Sequence, residues 1–262
     1  MKKWIVLLLI IAIGLWGFDV SRSTSNEQPQ QNLHIHHGDL RLINNQFAVD
    51  ETTIPNDIIK ASEVIQYAEI SDVTTEISQR LAHYLNTMLK EAHGEGISNF
   101  LINSSFRDFN TQQSVFNEFG GDFALPAGYS EHNSGLAVDI GSSSGPMGLS
   151  DEGKWLAQNA WRYGFILRYP EGKTEITGIA FEPWHFRYVG LPHSEIMYTE
   201  QWVLEEYITY LQTNGFYKTK NGILVSYYSS IEKAQEALEN SNSYELSGDN
   251  QQGIIITTKQ HE

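Results

Sequence analysis

The chain has 262 residues, a formal net charge of −15, 40% hydrophobic and 12% aromatic residues, and no cysteine. Its length and apolar content suffice for one good-sized packed domain with appendages, and a field of that sign repels nucleic acid, which excludes a nucleic-acid partner. The lack of cysteine excludes a disulfide framework, thiol catalysis, thiolate zinc sites and lipoprotein anchoring, so any metal must be held by His, Asp or Glu.

In chain order, Lys2 and Lys3 precede an apolar run over residues 4–18 that Asp19 ends. Basic residues before an apolar stretch keep the N-terminus in the cytoplasm and export the chain beyond that stretch. The run falls short of the roughly 20 residues that span a bilayer comfortably, but Trp4, Trp16 and Phe18 suit its interfaces. Residues 1–20 are expected to be a membrane anchor, with a cleaved signal as the alternative. Residues 21–39 are rich in Ser, Gln, Asn and His and read as a flexible tether. His34, His36 and His37 lie there, where no second shell orients an imidazole, so no ordered metal site is expected of them.

Order is expected from Leu40. Residues 75–93 carry Ile77, Leu81, Leu85, Met88, Leu89 and Ala92 at helical spacing, with N-cap candidates at 71–75 and Gly94 as a stop. Residues 100–102 read as a buried strand. Asp108 or Asn110 caps a helix to Glu118, and residues 122–134 read as irregular. A strand over 136–140 and a Gly/Ser loop over 141–150 come next. A helix over 151–163, strands at 165–169 and 185–189, and a helical stretch over 192–211 complete the main domain, residues 40–213. Residues 214–262 read as a small β-rich accessory unit, with a hairpin around Asn221-Gly222, a helix over 231–238 and two strands within 244–258.

Two segments carry chemistry: Ser130-Glu131-His132-Asn133-Ser134-Gly135-Leu136-Ala137-Val138-Asp139 and Glu182-Pro183-Trp184-His185. They supply two imidazoles, a carboxylate that can bind metal and a carboxylate that can act as base, which is the inventory of a catalytic zinc site with a position left for water. Strand alternation turns Leu136, Val138 and Ile140 to the core and Asp139 to the other face. Gly135 lets His132 fold back toward Asp139, and Pro183 bends the chain so that Glu182 and His185 share a cleft. Glu182 is then the general base, not a ligand. Arg107, at the end of a strand, can bind a carboxylate in bidentate fashion or stabilise an oxyanion, and Gln112 lies about one helical turn onward. Arg107 also reads as a surface ion pair, Trp184 as a packing residue and Ser130 as a cap. Any one of these motifs alone is at chance level, and it is their occurrence together, in order, in an exported chain that carries the reading.

These residues resemble the signature of the LAS family of zinc peptidases, and Ile102-Asn103-Ser104-Ser105-Phe106-Arg107 and Gly164-Phe165-Ile166-Leu167-Arg168-Tyr169-Pro170 are similar to the VanY-type D,D-carboxypeptidases within it. The resemblance covers about residues 40–211. It implies an α+β fold, a small mostly antiparallel sheet flanked by helices, and one Zn2+ held by His132, Asp139 and His185. It also implies Glu182 as catalytic acid/base, and Arg107, Gln112 and Ser130 near the substrate's terminal carboxylate or the tetrahedral intermediate; Trp184 is a separate candidate for substrate contact. The implied substrate is a peptidoglycan precursor ending in D-Ala-D-Ala, trimmed outside the cytoplasmic membrane with glycopeptide resistance as the outcome. Ser105 stands where many relatives carry Gly. The alternatives are an L,D-carboxypeptidase, an endopeptidase acting on cross-links, and a wall-binding module without turnover.

Overall fold

A computed structural model describes residues 33–121, 124–239 and 243–259. The expected anchor, residues 1–20, lies outside the described residues, and among those described no helix is long and apolar enough to cross a membrane.

The main body opens with β1 (Ile58–Lys60), the one-turn helix α1 (Ala61–Val64), the short strand β2 (Glu69–Ile70) and β3 (Glu76–Ser78), with β1 antiparallel to β3. The helix expected from residue 75 therefore starts later, as α2 (Gln79–Gly94), and its cap is Ser78, whose Oγ accepts the Leu81 amide. Ile77 stands one turn before Leu81 and mimics the helical stripe, yet it is a strand residue opposite Ile59, and both Ile77 and Leu81 reach the same core. The stripe Leu81, Leu85, Met88, Leu89 and Ala92 is buried as its spacing predicts.

Beyond it come β4 (Phe100–Ser104) and α3 (Phe109–Phe119), the latter capped by Asp108, whose Oδ1 accepts the Thr111 amide at 2.6 Å. The chain continues through β5 (Ala137–Ser142), α4 (Asp151–Asn159), β6 (Phe165–Leu167), the one-turn α5 (Thr174–Thr177) and β7 (His185–Tyr188). A 3-10 turn, Ala160–Tyr163, extends α4 to Gly164. The main sheet has the order β2-β4-β5-β7-β6, antiparallel throughout except for the parallel β2–β4 pair. Leu136, Val138, Ile140, Phe100, Ile102, Phe165 and Phe186 pack beneath α2 and α4, each large side chain contributing about 1.5–3 kcal/mol by leaving water. The opposite face of the centre of this sheet holds Asp139, which the alternation of β5 turns away from the core.

The helical stretch expected over 192–211 is two helices, α6 (His193–Glu200) and α7 (Leu204–Asn214). Gln201 adopts a left-handed φ of 58° and ends the first; the Glu206 carboxylate accepts the Val203 amide at 2.9 Å and starts the second.

The C-terminal segment contains β8 (Phe216–Lys218), β9 (Ile223–Tyr228), α8 (Ile231–Leu238), β10 (Tyr244–Gly248) and β11 (Ile254–Lys259), in a four-stranded antiparallel sheet of order β10-β11-β9-β8. Val225 and Ile255 of this sheet share one core with Leu40, Leu42, Ile166, Val189, Leu204, Tyr207 and Leu211. The chain before Leu40 is also built in. Leu33 is buried with Ile254 and Ile256, the Gly248 amide donates to His37 O at 2.7 Å, and the Asn250 amide donates to Ile35 O at 2.9 Å. Residues 33–39, expected as tether, are thus packed chain. Leu33 and Ile35 are apolar positions that the polar composition around them obscures.

Candidate metal centre and catalytic cleft

Three neighbouring strands set the centre. Ile102 pairs with Ile140, but a register shift then sets Ser104 opposite Asp139, and Asp139 in turn pairs with His185 on β7. Just before β5, the 3-10 turn Glu131–Ser134 brings His132 back over the sheet, with Ser130 as its cap. Gly135 closes that turn at φ 71°, and a Cβ there would stand 2.7 Å from Pro55 Cγ, so both backbone conformation and space require glycine.

His132 Nε2 lies 3.3 Å from Asp139 Oδ2, and His185 Nδ1 lies 3.0 Å from Asp139 Oδ1. One ligand atom from each of the three residues lies within 4.8 Å of the others. The edge of a tetrahedron with zinc-type bonds of ~2.0 Å is about 3.3 Å, so the contacts to Asp139 have the right scale. The far side of each imidazole is also held. His132 Nδ1 is 2.5 Å from Ser105 O, and His185 Nε2 is 3.2 Å from Glu131 Oε2. With the far-side nitrogens donating to Ser105 O and Glu131 Oε2, Nε2 of His132 and Nδ1 of His185 are the ring atoms on the Asp139 side that a cation would take in place of a proton. The donor set fits a divalent cation, with His132 using Nε2 and His185 using Nδ1. Ser105 takes the position without disturbance, its hydroxyl donating to Ala137 O at 2.9 Å.

The electrostatics agree. Burial favours a neutral Asp139, yet the neighbouring His132 and His185 hold its carboxyl well below the usual range. Burial lowers the pKa of His132. His185 is pushed up to about 9: burial opposes this, but hydrogen bonds to Asp139 and Glu131 outweigh it. An ionised carboxylate between two imidazoles, one of them drawn toward the cationic form, marks a site that attracts positive charge.

A cleft of about 440 Å³ opens over this centre, lined by His132, Asp139, His185, Arg107, Gln112, Ser130, Glu182 and Trp184 together with Glu131 and Tyr169. Every site residue expected from the sequence therefore borders one space. A cavity of about 650 Å³ elsewhere, around Arg80, Tyr84 and Tyr188, holds none of them. Glu182 lies just before β7 rather than on it. The His185 amide donates to Glu182 O at 3.2 Å, closing a turn across Pro183-Trp184 that puts both side chains on one side, with Glu182 Oε2 3.8 Å from His185 Nδ1. Burial pushes the Glu182 carboxyl up.

Arg107 is half-buried and, among the described residues, makes no ion pair; its Nε is buried without a partner. Burial lowers its pKa, but Asp139 and Glu182 oppose that change. A cation so placed has a vacancy for an anion. Gln112 is buried and donates from Nε2 to Leu125 O at 2.6 Å, while its Oε1 is unpartnered. Trp184 is 40% exposed on the rim, which removes it from core packing.

Sequence reasoning passed over Glu131, Arg168 and Arg187. Glu131 is 2% exposed and both arginines 0%. Glu131 Oε1 accepts from Arg168 Nε at 2.8 Å and from Arg187 Nη1 at 2.6 Å, and these guanidinium groups overcome burial to hold its carboxyl well below the usual range. A signal was present: Arg168 directly follows the apolar strand Phe165-Ile166-Leu167 and Arg187 lies within β7 next to Phe186, and a cation enclosed among apolar residues calls for a buried anion.

Comparison with known proteins gives a consistent set. The family model described as VanY, D-alanyl-D-alanine carboxypeptidase, matches residues 74–191. A D-alanyl-D-alanine carboxypeptidase of Enterococcus faecium is 38% identical, over 98% of this chain and 96% of its own length. Among solved structures, the vancomycin-resistance D,D-dipeptidase VanXYg, in complex with a D-Ala-D-Ala phosphinate analogue, superposes with a TM-score of 0.70 at 27% identity, over 85% of this chain and 94% of its own. The LD-carboxypeptidase LdcB has a TM-score of 0.58 at 33% identity, over 64% and 84%. The E175A mutant of the D,D-pentapeptidase VanY from a VanB-type resistance cassette, in complex with Zn(II), has a TM-score of 0.51 at 31% identity, over 65% and 98%.

Proposed function

This chain belongs to the VanY D-alanyl-D-alanine carboxypeptidase family, and on that premise we propose that it is a zinc-dependent D,D-carboxypeptidase releasing the terminal D-Ala from peptidoglycan precursors that end in D-Ala-D-Ala. The observation that carries this reading is the convergence of His132, Asp139 and His185 donor atoms within 4.8 Å, in a cleft that also holds Glu182 and an Arg107 with no ion-pair partner among the described residues.

His132 Nε2, Asp139 and His185 Nδ1 would hold the ion. Zinc in such a site supplies Lewis-acid polarisation of a carbonyl and lowers the pKa of a water to about 7. Glu182 accepts the proton of the water that adds to the carbonyl between the last two D-Ala residues. As the C–N bond breaks, Glu182 returns that proton to the departing amine. Arg107, with Ser130 and Gln112 beside it, pairs the free C-terminal carboxylate or the developing oxyanion. A substrate without the carboxylate leaves the half-buried guanidinium unpaired, and that penalty makes the enzyme a carboxypeptidase rather than an endopeptidase. Trp184 on the rim contacts the peptide.

The same reading makes the protein a contributor to glycopeptide resistance, since trimming removes the D-Ala-D-Ala end that such antibiotics grip. It works outside the cell, held at the cytoplasmic membrane by its N-terminal apolar run. The likeness to LdcB supports an L,D-specific second reading. The deciding experiment offers the chain a pentapeptide ending in D-Ala-D-Ala and a tetrapeptide with a terminal L,D bond, each with and without a chelator, and monitors released D-Ala. Chelator-sensitive release from the pentapeptide alone is expected. Release from the tetrapeptide alone reassigns the activity, and release that survives complete metal removal overturns the zinc dependence.

A further inference from the structure

We propose that Glu131 is a positioning residue for the metal centre: its Oε2 holds the Nε2–H of His185, so that the Nδ1 lone pair of that ring turns toward Asp139 and His132. This inference rests on the reading of His185 as a metal ligand.

The two oxygens of the buried carboxylate have separate partners. Oε1 accepts from both Arg168 and Arg187. Among the described residues, Oε2 meets only the imidazole, at 3.2 Å. The arginines are themselves fixed. Arg168 forks onto Glu205 Oε2 and Oε1 at 2.8 and 2.7 Å, and Arg187 Nη2 donates to Asp39 O and Arg41 O, both at 3.0 Å. The backbone under Glu131 is clamped as well, its carbonyl accepting the Ser134 hydroxyl at 2.5 Å. Glu131 therefore cannot swing to give Oε1 to the histidine, and an ionised carboxylate oxygen is acceptor-only. Nδ1 faces the Asp139 carboxylate at 3.0 Å, so a proton can sit on either side of the free ring; once a cation replaces the proton between Nδ1 and Asp139, Glu131 Oε2 is the acceptor that keeps the remaining ring proton on Nε2.

If Glu131 served only to neutralise two buried arginines, the identity of the group facing His185 would not matter. The Glu131→Gln variant separates the two roles because it is nearly isosteric. Its single carbonyl oxygen is drawn to the two guanidinium groups, which turns the amide NH2 toward His185 Nε2. A donor there favours the tautomer with the proton on Nδ1, the nitrogen the metal needs.

The test uses the full-length chain in detergent, with zinc affinity read by competition against a chromophoric chelator and ring states read from 15N shifts of His185 and His132. Zinc-loaded wild type is expected to show His185 metallated at Nδ1 with a slowly exchanging Nε2–H. Glu131→Gln is expected to bind zinc about 10–100-fold more weakly and to lose the Nε2–H signature of His185. His132, anchored by Ser105, keeps its own signature. An affinity within about twofold of wild type, with the Nε2–H of His185 retained, overturns the proposal. Should the variant not fold, the wild-type spectrum decides alone, since metallation of His185 at Nε2 overturns it. Undiminished zinc binding by His185→Ala would instead sink the metal-centre reading, and this inference with it.

Discussion

Asp139 and His185 are register partners across the β5–β7 ladder, and their side chains meet, Oδ1 to Nδ1, at 3.0 Å. Two candidate ligands on paired central strands are held by the sheet itself, so the site would need little rearrangement to take an ion. Asp139→Asn keeps the shape but removes the charge that balances a cation. Zinc affinity is expected to fall by more than about 100-fold, beyond the usual cost of losing an outer partner. Chelator competition measures it, and unchanged affinity would take Asp139 out of the ligand set.

Glu182 stands beside the candidate metal centre of His132, Asp139 and His185 without belonging to it, its Oε2 lying 3.8 Å from His185 Nδ1. Glu182→Ala is expected to retain zinc and fold while kcat/KM drops about 10²–10⁴-fold, the range for a lost general acid–base group. Metal content and steady-state kinetics on one preparation check this, and surviving activity moves the base elsewhere.

Arg107 has no anionic partner among the described residues, and burial lowers its pKa although Asp139 and Glu182 oppose that change. A charge-assisted hydrogen bond contributes about 1.5–3 kcal/mol. Arg107→Ala should therefore lower kcat/KM by about 10–150-fold for a peptide with a free C-terminus and leave the already poor amidated peptide nearly unchanged. Equal losses on both peptides would remove the carboxylate-anchor role.

Asp108 caps α3, and the Thr111 amide holds its carboxyl below the ordinary value. A carboxyl with a depressed folded-state pKa adds stability above its unfolded value, about 3.9, and loses it as pH falls through the folded value. Asp108→Ala is thus expected to cost about 1 kcal/mol near pH 7, with the gap to wild type narrowing at a pH below the unfolded carboxyl value. Urea unfolding at the two pH values tests it, and a pH-independent gap would refute the cap's role.

Leu33 is buried against Ile254, Ile256 and Ala234. Leu33→Ala is expected to cost about 2–3 kcal/mol in denaturant unfolding, within the range for a truncated core leucine. No measurable cost would return residues 33–39 to the status of tether.

The strands around residues 100, 138, 166 and 186, the helices α3, α4 and α8, and the C-terminal hairpin were legible because apolar periodicity and caps are local signals. The residues lining the cleft were legible for a different reason. Two imidazoles, an aspartate and a Glu-x-x-His in order are chemically specific, whatever surrounds them. Composition misled where a window average hid single apolar positions, as at Leu33 and Ile35, and periodicity misled at Ile77, which suits a helix stripe and a strand equally.

Local pattern thus determined the types of element, their approximate limits and the donor inventory of the cleft. Only tertiary packing decided which nitrogen each histidine turns inward, that Gln201 splits a helical stretch in two, and that Glu131 becomes the buried anion between Arg168, Arg187 and His185. Those partners lie 37, 56 and 54 residues along the chain from Glu131. The desolvation that gives the cluster its strength comes from the strands and helices closing around it, and no short window of sequence contains that enclosure.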